Sequence, residues 1–280
     1  DRFSPPLATR IVELARIASG DRVLDVGTGT GIVARAAARA AAPRGEVLGV
    51  DLSTRMIHAA TQSAASDDAA ARATIAEMDA EHLTFQDRSF DVVTSLFALL
   101  HFPNPLAALR EQHRVLVPGG RMVLAVGSRP PVMSLRGLAH RIAHVPKLVA
   151  QWRGRRLVAP MLLDELVERR FPERSAPEQS ALADASRSRV GGVVRLIRDA
   201  GFVRVRTRWE GYEAIIARPE EFWEIQRTFS SIARKRLEGR AAHEIAALRD
   251  ELIERCNAAP PGRTLVYPFA AFYVSAERDG

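Results

Sequence analysis

The residues most able to do chemistry sit at four places where an apolar run ends. The first is Val23-Leu24-Asp25-Val26-Gly27-Thr28-Gly29-Thr30-Gly31. A β-type run enters a glycine-dense turn that opens a helix, so the backbone can approach a ligand closely and the first helical N–H groups point into the same space. The spacing G-x-G-x-G is not the dinucleotide fingerprint, which would need glycine where Ile32 stands, and no Gly-Lys-Ser/Thr follows to make a phosphate loop. Asp25, two residues before Gly27, would repel a pyrophosphate and attract a cation. The second place is Gly49-Val50-Asp51-Leu52-Ser53, where a carboxylate at a strand tip can accept hydrogen bonds from two ribose hydroxyls. The third is Glu77-Met78-Asp79-Ala80, where Asp79 is placed to accept from an exocyclic adenine amine, and the fourth runs from Ser95 to His101. Each has a plainer alternative. The glycines make a tight turn in many proteins, Asp51 and Asp79 are ordinary capping or surface acids, and Asp91 reads as structural at the start of its strand.

The elements that must position these groups alternate through the first half. Strands are expected at Val23–Val26, Val47–Val50, Ala73–Met78, Asp91–Leu96 and Arg121–Val126. Helices are expected at Gly31–Ala42, from a Ser53 cap to about Ala64, and at Pro105–Leu116, stopped by Pro118-Gly119-Gly120. Strands and helices in this rhythm imply βαβ units and a parallel sheet covered on both faces. The rhythm breaks over 128–189, with short helical pieces near Ser134–His144 and Met161–Phe171. It resumes with a helix over Val193–Ala200 ended by Gly201, and a strand over Val203–Trp209. A helix opened by Pro219 carries Phe222, Ile225, Phe229 and Ile232 on one face. A second places Ile245, Leu248, Leu252 and Cys256 on one stripe, and a strand over Phe269–Ala276 follows, with Pro268 holding regular pairing behind it. The expected organisation is a core over 1–127, an inserted segment over 128–189, and the rest of the core over 190–280 with a second helical insertion at 219–257.

The order of the four places resembles the class I S-adenosylmethionine-dependent methyltransferases, particularly the branch containing the ubiquinone and menaquinone biosynthesis methyltransferases. The resemblance covers about Leu7–Val126, and Phe90-Asp91-Val92-Val93 and Leu116-Val117-Pro118-Gly119-Gly120 also match. It implies an α/β, Rossmann-like, doubly wound sheet of seven strands in the order 3-2-1-4-5-7-6, and S-adenosyl-L-methionine as cofactor. By the same resemblance the Gly27-Thr28-Gly29 loop cradles the methionine part and Asp25 helps hold its ammonium group. Asp51 binds the ribose hydroxyls, Leu52 and Met56 lie against adenine, Asp79 and Ala80 meet its amine and ring, and Ser95 lies beside the methionine portion.

Methyl transfer from a sulfonium is an in-line displacement, so positioning supplies much of the acceleration, and a base is needed only for an acceptor whose proton has a high pKa. His101 is the candidate base, with an unperturbed pKa suited to neutral pH. The alternative is a loop histidine packed on Phe102 and Pro103. His113 lies among Glu111, Gln112 and Arg114 and reads as solvated. His140 and His144 fall at i, i+4 without a third ligand, so no metal is expected. In an open parallel sheet ligands bind beyond the carboxyl ends of the strands, and both insertions leave the sheet there. They are therefore expected to cap a small acceptor and exclude water. Leu135, Leu138, Trp152, Met161, Leu162, Phe222, Trp223 and Phe229 offer that cap apolar surface. Arg129, Arg136, Arg141, Arg153, Arg155 and Arg156 would suit an anionic group, or else simply face water.

The chain of 280 residues, 47% apolar and 26% charged, has the composition of a globular protein with a sizeable core. No run approaches the roughly eighteen apolar residues of a membrane span, and no export signal is visible in Asp1–Ser19. Cys256 is the sole cysteine, which excludes an internal disulfide and thiolate zinc cages and fits a cytoplasmic location. The net charge of +7 rests almost wholly on arginine, with lysine only at Lys147 and Lys235, so it points to a biased composition more than to a nucleic-acid partner. Trp152-Arg153-Gly154-Arg155-Arg156 is the one cluster that would suit an acidic membrane surface.

The reading is a cytoplasmic methyltransferase acting on a small molecule, a secondary metabolite or a quinone-like compound. Two alternatives stand beside it. One is a donor-binding scaffold that transfers no methyl group, regulatory or cyclase-like. The other is an RNA methyltransferase, disfavoured because Ser95-Leu96-Phe97-Ala98 lacks an aromatic-proline signature.

Overall fold

The computed structural model describes residues 4–64, 73–127, 156–171, 190–216, 218–229, 237, 239–258 and 264–280. Strands β1 (Arg22–Val26), β2 (Glu46–Asp51), β3 (Ala73–Glu77), β4 (Phe90–Leu96) and β5 (Leu116–Gly127) are parallel neighbours in the order β3-β2-β1-β4-β5. Helices α1 (Ser4–Ala15), α2 (Ile32–Ala41), α3 (Thr54–Ala64) and α4 (Pro105–Val115) connect or flank them. Alternation sorts the side chains of each strand between two layers. Leu24, Val26, Val93 and Leu124 join Ala108 and Leu109 of α4 and Val193 and Ile197 of α6, the helix over 190–199, in one buried cluster. On the opposite face α1 and α2 pack on the sheet and on each other, burying Leu7, Ile11, Ala34, Ala37 and Ala41. Each large apolar side chain so buried stabilises the fold by about 1.5–3 kcal/mol.

Beyond β5 the sheet turns mixed. Strand β8 (Thr264–Glu277) runs antiparallel to β5, from Gly127↔Ala271 to Arg121↔Glu277, and β7 (Val203–Ile216) pairs with β8. With the short β6 (Arg156–Val158), which pairs in parallel with Thr264–Val266, the sheet has eight strands where seven were expected. Without β6, the order matches the expected 3-2-1-4-5-7-6. The extra strand exists because β8 begins at Thr264, not Phe269. Pro268 falls between the stretch registered with β6 and the stretch registered with β5, so its missing N–H removes a bond from neither ladder. Likewise β5 starts at Leu116. Pro118-Gly119-Gly120 interrupts the pairing, which passes from Phe90↔Leu116 to Val92↔Arg121, and Gly119 takes φ +74° there. Strand β7 continues seven residues past the expected end at Trp209.

Among the described residues, those within Asp1–Arg129, Ala185–Glu210 and Ala270–Gly280 form one compact unit, and those within Pro130–Asp184 and Gly211–Phe269 form a second. The first unit holds the parallel sheet and its four strand-end loops. The second contains α5 (Ala159–Arg170), α7 (Pro219–Phe229) and α8 (Ala242–Asn257). There α5 and α8 pack together, burying Leu162, Leu166, Leu248 and Leu252, with Arg255 bonded to Glu165 and Arg169 to Glu251 at the edges. Phe222 and Trp223 are buried, whereas Ile245 and Cys256 are only half-buried. Leu135, Leu138, Trp152, Arg129, Arg136, Arg141, Arg153, Arg155, His140 and His144, and the helix expected near Ser134–His144, lie outside the described residues. Among the described residues no helix is long and apolar enough to cross a membrane, and no cluster of acidic, histidine or cysteine side chains could hold a metal.

Candidate functional site

Because β1 to β4 are parallel, their carboxyl ends share one edge of the sheet, and all four sequence-selected places lie along it. The glycine loop leaves β1. Asp51 is the last residue of β2, Asp79 follows β3 by two residues, and Ser95 is the penultimate residue of β4. Gly27, Gly29 and Gly31 take φ of +68°, +56° and +75°, a region costly for a side chain. Space adds a second demand at Gly27, where a Cβ would lie 2.3 Å from the Ala98 Cβ. At Gly29 the same construction meets no atom within 4 Å, so this glycine faces open space. Gly49 on β2 is small for a different reason: a Cβ there would stand 2.7 Å from the Thr28 hydroxyl.

Hydrogen bonds hold the loop from below and from the side. The Thr28 N–H donates to the Val50 carbonyl at 2.9 Å. Asp51 Oδ2 accepts from the Gly29 N–H at 2.8 Å, and Oδ1 accepts from the Ser53 N–H at 2.9 Å. A carboxylate has about four acceptor positions, so Asp51 keeps capacity for about two further donors. Asp25 sits beneath the loop, 1% exposed. Its Oδ2 accepts from the Thr28 hydroxyl at 2.7 Å, its Oδ1 accepts from the Thr94 hydroxyl at 2.8 Å, and the Ala34 N–H of α2 adds a third bond. Burial pushes the Asp25 carboxyl up to about 6, against the pull of those three donors. Both Asp25 oxygens therefore already serve the protein's own hydroxyls.

The remaining residues line the same edge with different exposure. Leu52 is 68% exposed, an apolar side chain standing in water beside Asp51. Met56, in the first turn of α3, is half-buried, and its N–H bonds Ser53, the expected cap. Asp79 accepts from the Glu81 N–H at 2.9 Å and meets the His82 ring at 3.1 Å. These two contacts, the backbone bond first, hold it below the ordinary carboxylate range. Ala80 is buried in the core cluster. Ser95 is 1% exposed, and its hydroxyl has no partner among the described residues.

Beyond β4 the chain turns sharply. Phe97 takes φ +59°, a conformation costing a non-glycine residue on the order of 1–3 kcal/mol. That turn sets Ala98 against Gly27 and starts a 3₁₀ turn, Leu99–His101, closed by the His101 N–H on the Ala98 carbonyl at 2.8 Å. His101 is exposed, as is Leu100. Asn104 then caps α4 through the Ala107 N–H, with Pro105 at the first helical position.

His113 departs from its expected place in solvent. Its ring packs edge-on to Phe202 at 5.0 Å and against Gly201, and burial is the first cause lowering its pKa. The polar neighbours that suggested exposure do not make a wet face. Gln112 is fully buried with no side-chain hydrogen-bond partner among the described residues, and Arg114 clamps the carbonyls of Leu83 and Phe85 at 2.8 Å. Asp91 is structural as expected, accepting from the Arg22 N–H at 2.9 Å. The residues that sequence reasoning missed are Thr94 and Ala98. Their only signals were a hydroxyl inside a buried Val-Val-Thr-Ser strand and a small residue just past it.

The family description "Methyltransferase domain" matches residues 24–124, which run from within β1 to within β5 and include all four strand-end places. The demethylmenaquinone methyltransferase of Staphylococcus aureus is 38% identical over 121 residues, 43% of this chain and 49% of that protein. The chain thus spans about half the length of the curated relatives it matches. Among solved structures, the cyclase SpnF is 21% identical with TM-score 0.54, over 99% of this chain and 82% of its own. A phosphoethanolamine N-methyltransferase of Haemonchus contortus, solved with S-adenosylhomocysteine, is 18% identical with TM-score 0.51, over 98% of this chain and 53% of its own. At such identities the structures show a shared fold. Fold, loop spacing and the matched residues agree: residues 24–124 match a methyltransferase domain, and over that stretch the chain is similar to the class I S-adenosylmethionine-dependent methyltransferases.

Proposed function

We propose that the protein transfers a methyl group from S-adenosyl-L-methionine to a small-molecule acceptor. The observation that carries the reading is the joint between two strand tips: Asp51 holds the Gly29 N–H while Gly29 faces open space. Loop and ribose acceptor are thereby set before any ligand arrives, which lowers the ordering cost of binding. The residues present fit the donor. Gly29 leaves room for its methionine part, the buried Ser95 hydroxyl lacks a partner among the described residues, and exposed Leu52 offers an apolar face to adenine.

The donor, when bound, supplies a methyl group on a positively charged sulfur. The chain's own residues bind and orient. Asp51 would accept the ribose hydroxyls, the Gly27-Thr28-Gly29 backbone and Ser95 would hold the methionine end, and Asp79 and Ala80 would meet the adenine edge, with Met56 beside Leu52. Asp25, enclosed by its three donors, would act on the ammonium group only at a distance, as a fixed negative charge. His101 would take a proton from an acceptor that carries one. Its turn is anchored to the glycine loop by the Ala98–Gly27 contact three residues earlier.

Acceptor choice would be encoded outside 24–124, in the inserted segments, and the menaquinone relative favours a quinone-like compound over a nucleic acid. Calorimetry with S-adenosylhomocysteine, followed by incubation with methyl-labelled donor and a panel of quinone, phenol and amine acceptors, tests the reading. Binding with transfer to a small acceptor supports it. Binding without transfer to any acceptor would favour a non-methylating scaffold. Absence of binding would remove the proposal.

A further inference from the structure

Thr94 was not among the residues that the glycine-loop pattern singles out, yet it lies opposite Asp25 in the β1–β4 register and is 0% exposed. Paired residues on parallel strands point to the same face, which explains why its hydroxyl reaches Oδ1 at 2.8 Å. The other carboxylate oxygen takes the Thr28 hydroxyl, and the next residue, Gly29, gives its N–H to Asp51. A continuous chain of contacts therefore runs Thr94–Asp25–Thr28–Gly29–Asp51, from a strand that holds none of the ribose-binding groups to the carboxylate expected to grip the ribose.

We propose that Thr94 is a positioning residue for donor binding, whose hydroxyl bond to Asp25 holds the glycine loop and, through it, Asp51 in the arrangement that accepts the donor. The inference rests on the donor-binding reading above and extends it to a residue that touches no part of the ligand. The carboxylate form of Asp25 can accept from both threonine hydroxyls at once, whereas a protonated carboxyl must present a donor of its own to one of them. Donor grip should then depend on pH through Asp25. The groups around it leave little else to titrate there. From β2 the charged neighbour is Asp51, whose negative charge pushes the Asp25 carboxyl up; α2 presents the Ala34 N–H, and its Arg35 guanidinium turns to the Thr30 carbonyl. On β4, Asp91 lies at the other end, bonded to Arg22.

The sign follows from burial, which raises Asp25 to about 6. The donor-competent carboxylate dominates at pH 7 and is depleted below 6, so the dissociation constant for S-adenosylhomocysteine should rise about tenfold from pH 7 to pH 5. Thr94→Val keeps the shape and removes one donor while the burial stays. The midpoint of that rise should move upward and affinity at pH 7 should fall several-fold. Thr94→Ser should restore both, because it returns the hydroxyl.

The test is calorimetric titration with S-adenosylhomocysteine from pH 5 to pH 8 for the wild type and both variants. An upward midpoint in Thr94→Val with recovery in Thr94→Ser supports the proposal. A wild-type affinity flat between pH 5 and pH 7, or a Thr94→Val midpoint equal to the wild type's, overturns it. Should Thr94→Val fail to fold, the wild-type profile and Thr94→Ser still decide: a pH-flat wild type, or a serine variant that binds no better than tenfold below wild type at pH 7, overturns it. Failure of the wild type to bind at any pH would instead strike the donor-binding reading itself, so the two failures are distinguishable.

Discussion

The glycine loop and the turn after β4 meet at the Gly27–Ala98 contact, but they are built on opposite plans. In the loop nearly every polar group is committed: Asp25 to Thr28, Thr94 and Ala34, Asp51 to Gly29 and Ser53, and the Thr28 N–H to Val50. In the turn, Leu100 and His101 stand exposed, and the His101 ring has no hydrogen-bond partner among the described residues. Phe97 even stores backbone strain there. A side that must hold one fixed ligand can be finished in advance. A side that must meet an acceptor gains from leaving its reactive groups unpaired, since a base already bonded to protein would have to break that bond first.

Substitutions in the two regions should therefore fail differently. The largest effect belongs to Gly27→Val. A β-branched side chain at φ +68° with its Cβ 2.3 Å from Ala98 cannot be accommodated unless the loop and the 97–101 turn separate. Donor binding should be lost, and stability should fall by about 3 kcal/mol or more, read by calorimetry and chemical denaturation. Gly29→Ala is the matched control. Its Cβ meets no protein atom, so stability should fall only by about 1–2 kcal/mol, the backbone cost alone, while donor affinity drops because the methyl group enters the ligand's space. Equal stability losses in the two variants would show that Ala98 yields freely and that the loop is less fixed than its bonds suggest.

His101→Ala comes next and should separate the two sides cleanly. Donor affinity stays at the wild-type value, whereas turnover with a hydroxyl acceptor falls by about 10²–10⁴-fold, the usual worth of a positioned base. Steady-state rates beside calorimetry check this, and unchanged turnover would return His101 to the role of a solvent-facing loop residue. Asp51→Ala should do the reverse at smaller amplitude. It removes acceptors for ribose and for the Gly29 and Ser53 N–H groups, so affinity should fall by about 10–100-fold, as expected from one or two hydrogen bonds to a charged group. Retained affinity would refute the ribose assignment.

The same division explains what the sequence disclosed. Asp25, Gly27, Gly29 and Asp51 were legible because their signals are local: a carboxylate or glycine at a fixed step from the end of an apolar run. Thr94 was not, because its meaning depends on a register with a residue 69 positions away. Ala98 was hidden for a similar reason, since its small size matters only against Gly27. The parallel sheet and its order followed from the alternation of strands and helices, but β6 did not, because three residues gain strand geometry only from the unforeseen length of β8. His113 misled through its neighbours. Three polar residues suggested a wet helix face, while Gln112 is buried and Glu111 and Arg114 turn to hold the 83–87 loop.

The weakest effect should come from the far ends of the very strands that carry the site. Asp91 accepts the Arg22 N–H at 2.9 Å and the Arg22 guanidinium at 3.2 Å, joining the start of β4 to the start of β1. Burial pushes its carboxyl up, but the Arg22 amide and guanidinium together outweigh that and leave it below the ordinary carboxylate range. A lowered carboxyl stabilises the fold above its unfolded value and loses that contribution as pH falls through its folded one. With the pair partly exposed to solvent, Asp91→Asn should cost about 1 kcal/mol or less at pH 7, and the difference from wild type should shrink toward pH 3. Donor affinity and its pH midpoint should not move, because no bond of the chain from Thr94 to Asp51 passes through these residues. A change in donor binding in Asp91→Asn would mean that strand register, rather than the local bonds beneath the glycine loop, sets the grip, and the contrast between a finished donor side and an open acceptor side would have to be redrawn around the whole sheet.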